Sequence, residues 1–510
     1  MSNLGSDNKR IAINTIFLYI RMFVILIVTF YTTRVILQTL GVVDYGIFNV
    51  IGGVVSMLSF VNASMANGFQ RFLNIELGIG NIEGVKKVFT SSFTVQVLLI
   101  LIIVLLGETI GVWFLKTQMN IPTDRMNAAY YVFQFALLTF TLSMLQVPFT
   151  AVIIAFEDMR FYACICVIEA LFKLFAVYIL LYSPYDKLIF YSILISIIVF
   201  FILLIYVVSC FVKYTFLSIK LSVNKDVISR MLIFSGWNTF GSTAHLLEGQ
   251  GINILLNIFF GPVVNAARGI AFQVQSGLNS FVTNLHMAAR PQIIQSYSNH
   301  NMERMWFLTY QISRFSFFLM LLLTLPFFLE AKYILNIWLG EVTEYTVSFT
   351  RIVVLTGLFN VFATPITTIV HATGKMRNFQ LVCSLVIMSV VPISYFFLKC
   401  NYSPNSVMIA GFVITILVQI VRLFLLKTII CFSIWDYCRN VLNPVFKVMI
   451  MSFILSFFVY FLVGNNTIII RFLLIIIYCV ILVFCIYSLG LSKNEKLKLK
   501  EGLLIRFRKP

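Results

Sequence analysis

Charge is what this 510-residue sequence has least of. Asp, Glu, Lys and Arg make up 11% of it, against about 25% in an ordinary soluble domain. A soluble chain so poor in charge would expose large apolar patches and aggregate. Acids are the scarcer sign, with 19 Asp and Glu against 37 Lys and Arg. The 4 histidines are too dispersed for a metal site. The 9 cysteines are scattered, mostly inside apolar runs, and no spacing resembles a zinc or redox motif. Cys164 and Cys166 are the closest pair, and on a predicted helix they point in different directions. They read as packing thiols. GxxxxGKS/T is missing, so no P-loop ATPase is fused here, and neither HExxH nor GxSxG appears. A cleavable leader is not expected either. The first apolar segment runs past about 20 residues without a small-residue cleavage site, so it should remain as the first helix.

What is abundant is apolar: 60% of residues, including 52 Phe. Lipid is the solvent that suits such a chain. Each helical crossing needs about 20 apolar residues, so about fourteen crossings use roughly 280. Predicted helices fall near 11–33, 46–68, 88–115, 128–155, 161–182, 188–212, 230–258, 263–288, 308–329, 346–370, 379–398, 405–427, 444–463 and 467–489. The stretch 230–288 is unusually polar, and Gly261-Pro262 is its best break. The fold class is all-α: a polytopic membrane protein. The formal net charge of +18 would suggest nucleic acid in a soluble protein. Here the basic residues sit mostly between apolar runs, so no nucleic-acid partner is expected.

Orientation follows from those basic residues. With the N-terminus cytoplasmic, cytoplasmic loops hold Lys86, Lys87, Arg160, Lys213, Lys220, Lys225, Arg230, Arg290, Arg304, Lys375, Arg377 and Lys427, among others. The opposite loops hold only Lys116, Arg125, Lys187, Lys332 and Lys399. Both termini are therefore expected in the cytoplasm. The segment Lys493 to Lys509 alternates basic with apolar residues and reads as a strip lying on anionic headgroups.

The chain repeats itself. A shift lays Gly41 on Gly261, Asn81 on Asn301 and Glu83 on Glu303. A nearly equal shift lays Pro148, Thr150, Ala155, Met159, Arg160 and Cys166 on Pro365, Thr367, Ala372, Met376, Arg377 and Cys383. An even number of helices per repeat preserves orientation, so the halves are parallel repeats, an architecture common in transporters that work by alternating access. The expected organisation is a six-helix lobe over 1–225, a second over 226–432, two further helices over 433–490 and a basic tail over 491–510.

Cations inside predicted spans are Arg21, Arg34, Lys173, Arg268, Arg314, Arg351, Arg422 and Arg471. Each costs about 2.5–3.5 kcal/mol at the bilayer centre on insertion scales. Arg34, Arg422 and Arg471 lie near helix ends and are expected to snorkel. Arg21 sits roughly 15 Å into the first helix at about 1.5 Å per residue, with no acid one turn away. It lines a cavity, or it pairs with an acid on another helix. Arg268, Arg314 and Arg351 are further candidates for binding substrate. Lys173 follows Glu169 by one turn, which reads as an ion pair or an ion-coupling element. Polar stripes add to this. Gln273, Ser276, Gly277, Ser280 and Asn284 share one helical face, and Asn49, Gly52, Gly53, Ser56 and Ser59 share another. Glu248 is the deepest lone acid of the C-terminal half; it carries a proton, helps bind sodium, or neutralises an arginine.

Several stretches resemble one family. They are Asn14-Thr15-Ile16-Phe17-Leu18-Tyr19-Ile20-Arg21, Tyr31-Thr32-Thr33-Arg34, Leu40-Gly41-Val42-Val43-Asp44-Tyr45-Gly46-Ile47 and Gln70-Arg71-Phe72-Leu73. They resemble bacterial O-antigen and capsule flippases of the multidrug/oligosaccharidyl-lipid/polysaccharide exporter superfamily, most specifically over residues 11–90. The resemblance implies two six-helix lobes in the inner membrane that move undecaprenyl-diphosphate-linked oligosaccharide to the periplasmic leaflet. The related lipid II flippases are similar in having cavity arginines on helices 1 and 8, where Arg21 and Arg268 stand, and two extra C-terminal helices, which in that branch bind the lipid tail. The resemblance also implies a monomer that uses sodium or a proton gradient, no other cofactor, and polysaccharide polymerase machinery as a partner. Physics agrees on the ligand: arginine pairs with phosphate oxygens in bidentate fashion. The rivals are a multidrug or cation antiporter, which would want carboxylates in its cavity, and a membrane polymerase or acyltransferase, a polymerase being expected to carry a longer external loop.

Overall fold

The computed structural model describes residues 2–56, 59–117, 121, 123–218, 224–260, 262–339, 344–463, 468–492 and 495–497. Among them the chain is all-helical, with no β-strand. The helices run α1 Ser2–Ser56, α2 Ser59–Ile79, α3 Ile82–Leu106, α4 Val112–Thr117, α5 Met126–Ala155, α6 Met159–Leu181, α7 Lys187–Lys213, α8 Lys225–Phe260 and α9 Pro262–Ser298. They continue as α10 Met302–Leu329, α11 Ala331–Leu339, α12 Glu344–Asn360, α13 Ala363–Thr373, α14 Met376–Met388, α15 Val390–Lys399, α16 Asn405–Ile429, α17 Ile434–Tyr437, α18 Asn443–Val463 and α19 Ile468–Cys485.

Among the described residues, ten helical stretches are long and apolar enough to cross a membrane. They coincide with the third to sixth and ninth to fourteenth predicted helices. The other four predicted crossings fall on α1, α2, α8 and α9; the first of them contains an apolar helix, Ile13–Thr29, shorter than a full crossing, and α8 and α9 carry the polar stretch expected over 230–288. Together they give about fourteen crossings of about 20 residues, a polytopic membrane protein. Large apolar side chains such as Leu105, Phe175 and Phe461 are left exposed, as a surface facing lipid requires.

The chain divides into two compact units. The first holds the described residues up to Ser242 together with Ile294–His300. There α5 packs on α7, α2 and α3, and α1 on α6. Phe69, Phe89, Phe149 and Tyr206 fill the core, and the Phe89 and Phe149 rings meet edge-on at 5.4 Å. In lipid such close packing, not exclusion from water, holds helices together.

Several helices overrun the sequence expectation, α9 among them (to Ser298 instead of near 288), and two of the differences concern the start of the first unit. Helix continues from the first predicted span into the second as one element, α1, broken only at Gly41 (φ 79°, ψ 170°). Such angles are essentially restricted to glycine. Just after this joint, Asp44 is ion-paired with Arg125, whose Nη1 also lies 2.7 Å from Asp186. The second difference is that α2 extends to Ile79 instead of ending near 68. Arg71 and Asn74 look like loop residues, yet both are buried. The Arg71 guanidinium lies 4.7 Å and 4.9 Å from the Phe72 and Phe234 rings, and Asn74 accepts from Gln295 at 3.4 Å.

The second unit holds Thr243–Ile293 and the described residues from Asn301 onward. Here α16 packs against α12, α14 and α15, and α10 against α12. Leu256, Ala271, Phe349 and Val407 form its core. The two C-terminal helices α18 and α19 pair with each other and pack on α10. The tail from Lys498 on, the Gly261 of the predicted break, and the side chains of Arg34, Asn49, Ser56 and Ser59 lie outside the described residues.

Candidate functional site

A cavity of about 230 Å³, lined by polar and apolar side chains, lies within the second unit. Helix periodicity explains its lining. On α9, Arg268, Phe272, Gln275 and Asn279 recur at intervals of four, three and four, which is one helical face. His245 and Glu248 of α8 are one turn apart, as are Thr356 and Asn360 of α12. Thr415 and Arg422 of α16 are two turns apart. Ile387 of α14 and Val390 of α15 add apolar wall.

Two guanidiniums face this space. Arg268 is buried, donates through Nη1 to Asn253 Oδ1, and lies 4.3 Å from the centre of the Phe272 ring. Its Nε has no hydrogen-bond partner. Arg422 is only 7% exposed. The Cys383 thiol is within its hydrogen-bonding reach, but its Nε and Nη1 have no partner. Snorkelling was expected of Arg422 from its distance to the helix end; the helices around α16 bury it instead. Neither arginine forms an ion pair with a carboxylate among the described residues. Glu248, the one acid lining the cavity, lies 3.8 Å from His245 and acts on Arg268 through space.

The remaining predicted residues fall elsewhere. Arg21 belongs to the first unit, where its Nη1 lies 3.9 Å from Cys166 Sγ and its guanidinium 5.1 Å from the Tyr162 ring. Glu169 and Lys173 form the expected one-turn ion pair at 2.6 Å. Gln273 and Ser280 are exposed, and the Ser280 hydroxyl donates to its own helix at Ser276 O, 2.9 Å away. Asn284 is buried and its amide donates to Ser280 O at 3.0 Å. None of these three lines the cavity, whose α9 wall is the adjoining face. Arg351 donates to Phe328 O at 2.9 Å and Leu329 O at 3.4 Å, the carbonyl end of α10.

Arg314 meets Glu495 beyond the last helix at 2.6 Å. Burial pushes the Glu495 carboxyl up, but bonds from Ser492 and Gln311 and the charge of Arg314 outweigh this and hold it below the usual carboxylate range. Arg471, also expected to snorkel, reaches the buried Glu330 at 3.1 Å, and Tyr478 donates to the same carboxylate at 3.5 Å.

Sequence reasoning missed Arg422 and the cysteines as neighbours of arginine. One signal was available. Cys166 and Cys383 are in register in the internal repeat, and each lies against an intramembrane arginine, Arg21 and Arg422.

No family model matches the chain, and no curated protein matches it in sequence. Solved structures do match it in shape. An outward-facing multidrug resistance MATE family transporter of the MOP superfamily superposes with a TM-score of 0.73 at 14% identity, covering 83% of this chain and 95% of that one. A MATE protein in its straight conformation gives 0.71 at 14%, covering 83% and 96%. A MOP superfamily transporter from Pyrococcus furiosus, whose reversed pocket polarity is described as suggesting a different function, gives 0.70 at 13%, covering 81% and 95%. At such identities the likeness is one of fold, and the fold of this chain is that of the MATE transporters of the MOP superfamily.

Proposed function

We propose that this chain is a carrier that flips undecaprenyl-diphosphate-linked oligosaccharide from the cytoplasmic to the periplasmic leaflet of a bacterial inner membrane. It does so by alternating access, with both termini cytoplasmic, and its product feeds O-antigen or capsule polymerisation. One observation carries this reading. The cavity of the second unit holds two buried guanidiniums against one carboxylate, Arg268 and Arg422 against Glu248. That sign attracts a lipid diphosphate and repels an organic cation. The Gln275 and Asn279 amides and the Thr356 and Thr415 hydroxyls are the groups that sugars hydrogen-bond. Arg21 in the first unit is the matching candidate there. The Pyrococcus furiosus transporter supports the premise that pocket sign separates functions within one fold.

The test is export. Arg268→Glu and Arg21→Glu should each abolish surface glycan in cells that depend on this chain, with normal amounts of protein in the membrane. Wild-type export from both variants would remove these residues from the path.

The antiporter reading rests on Glu248 beside His245, a protonatable pair in the same cavity. If it holds, Glu248→Gln raises drug susceptibility and leaves glycan export intact. In the flippase reading the same pair, with Glu169 and Lys173, is where sodium or proton coupling would act.

A further inference from the structure

The geometry points to a phospholipid headgroup site at one edge of the first unit, built to take the phosphate and primary ammonium of an ethanolamine lipid. A cavity of about 520 Å³ opens there. It is lined by Arg10 and Asn14 of α1, by Glu157, Asp158 and Arg160 where α5 turns into α6, and by Lys213 at the end of α7. Two spans apolar enough to cross a membrane flank the turn, and a third ends at Lys213. The cavity therefore lies where hydrocarbon gives way to water, at the level of lipid headgroups. Deeper along the same helices, Ile16 and Ile20 of α1 and Val208 and Val212 of α7 are exposed, each pair one turn apart. They offer acyl chains an apolar surface below the headgroup.

Glu157 is the informative residue. Its backbone is left-handed, with φ 60°. In the register of the internal repeat it falls on Gly374, which has φ 77°. Both halves thus end a helix in the conformation that glycine takes without strain. The first half keeps a carboxylate there despite the strain, a mark of a functional position. That side chain is 4% exposed and pairs with Arg10 Nε at 3.3 Å. Asp158, beside it, pairs with Lys213. The second half has Gly374 and Lys375 at these two places, so ending the helix does not require the acids. Arg160 is the surplus cation: it forms no ion pair among the described residues, and its guanidinium lies 5.0 Å from the Phe17 ring.

A cavity carrying both signs selects a headgroup carrying both. Phosphate oxygens suit Arg160 and Lys213, as in basic pockets between membrane helices. An ethanolamine ammonium can donate to the Asp158 and Glu157 carboxylates in charge-assisted hydrogen bonds. A glycerol headgroup brings no cation to those carboxylates, and a choline nitrogen has no N–H to donate.

The experiment titrates the full chain in detergent with phosphatidylethanolamine, phosphatidylglycerol and phosphatidylcholine of identical acyl chains. Native mass spectrometry counts the first lipid bound. Wild type should hold the ethanolamine lipid about tenfold more tightly than either of the others, the worth of one charge-assisted bond. Arg160→Gln should lose that preference, and Arg160→Lys should recover part of it. Glu157→Gly takes the residue the second half uses, so it should fold and still lose the preference. If Glu157→Gly does not fold, Arg160→Gln, made at an exposed side chain, decides alone. Equal binding of the three lipids by wild type, or tighter binding of the glycerol lipid, overturns the site. So does a preference that persists in Arg160→Gln. Glycan export enters none of these readouts, so the site stands or falls independently of the carrier reading.

Discussion

Two sets of arginines share the second unit and meet opposite surroundings. Arg314 and Arg471 are matched by Glu495 and Glu330. Arg268 and Arg422 are buried at least as deeply and are met by an amide, an aromatic face and a thiol, with Glu248 acting on Arg268 only through space. The residue type is the same and so is the low dielectric. What differs is whether the chain brings an acid. Where it does, through α10, α19 and the segment after them, the arginine fastens the C-terminal helices. Where it brings none within ion-pair distance, the arginine is left for something else to satisfy.

The comparison can be broken on the fastened side. Glu330 is 2% exposed and serves both Arg471 and Tyr478. Glu330→Gln should cost about 3–5 kcal/mol, the typical penalty for halving a buried pair, read as a lower thermal midpoint in detergent. Adding Arg471→Met should recover most of it. An unchanged midpoint in Glu330→Gln would place Arg471 with the unsatisfied set.

Glu495 offers a smaller, pH-dependent effect. Its carboxyl titrates below its ordinary 4.5 in the folded chain. The stabilisation is therefore fully present above 4.5 and is lost as pH falls through the lower folded value. The pair is mostly shielded from solvent, so its worth lies between about 1 kcal/mol for a surface pair and about 3–5 kcal/mol for a fully buried one. Protease access to the C-terminal segment should be flat from neutral pH to the carboxylate range and rise below it. Glu495→Gln should show the acid behaviour at every pH; protection in that variant equal to wild type would rule the latch out.

Smallest of all should be Arg351→Met. It removes a cation from the carbonyl end of α10, which is worth roughly 0.3–1 kcal/mol. A loss of glycan export with unchanged stability would place Arg351 on the substrate path.

The helices were legible because span length and hydropathy are local properties. The joining of two spans into α1 was not, since a single glycine angle decides it. Nor was the continuation of α2, because Arg71 and Asn74 are satisfied by Phe234 and Gln295, which lie far along the chain. The same rule sorts the charges. Glu169 and Lys173 could be paired on sight, being one turn apart. Glu330 with Arg471 and Arg314 with Glu495 could not, because their partners lie on distant segments. Arg422 was misjudged because distance from a helix end measures depth along one helix and says nothing of the neighbours that cover it. On α9 the polar stripe was visible, but the face that lines the cavity is the one beside it.

Gly41 has a mechanical consequence. An α-helix transmits torque through its ladder of hydrogen bonds, and at Gly41 the backbone leaves helical angles (φ 79°, ψ 170°). A Cβ there would touch nothing within 4 Å, so the position is reserved by torsion alone, with no neighbour to wedge it. Three residues later Asp44 is moored by Arg125. The long first helix is thus two rods on a one-residue bearing with the far rod anchored, and twisting the part that carries Arg21 need not turn the rest.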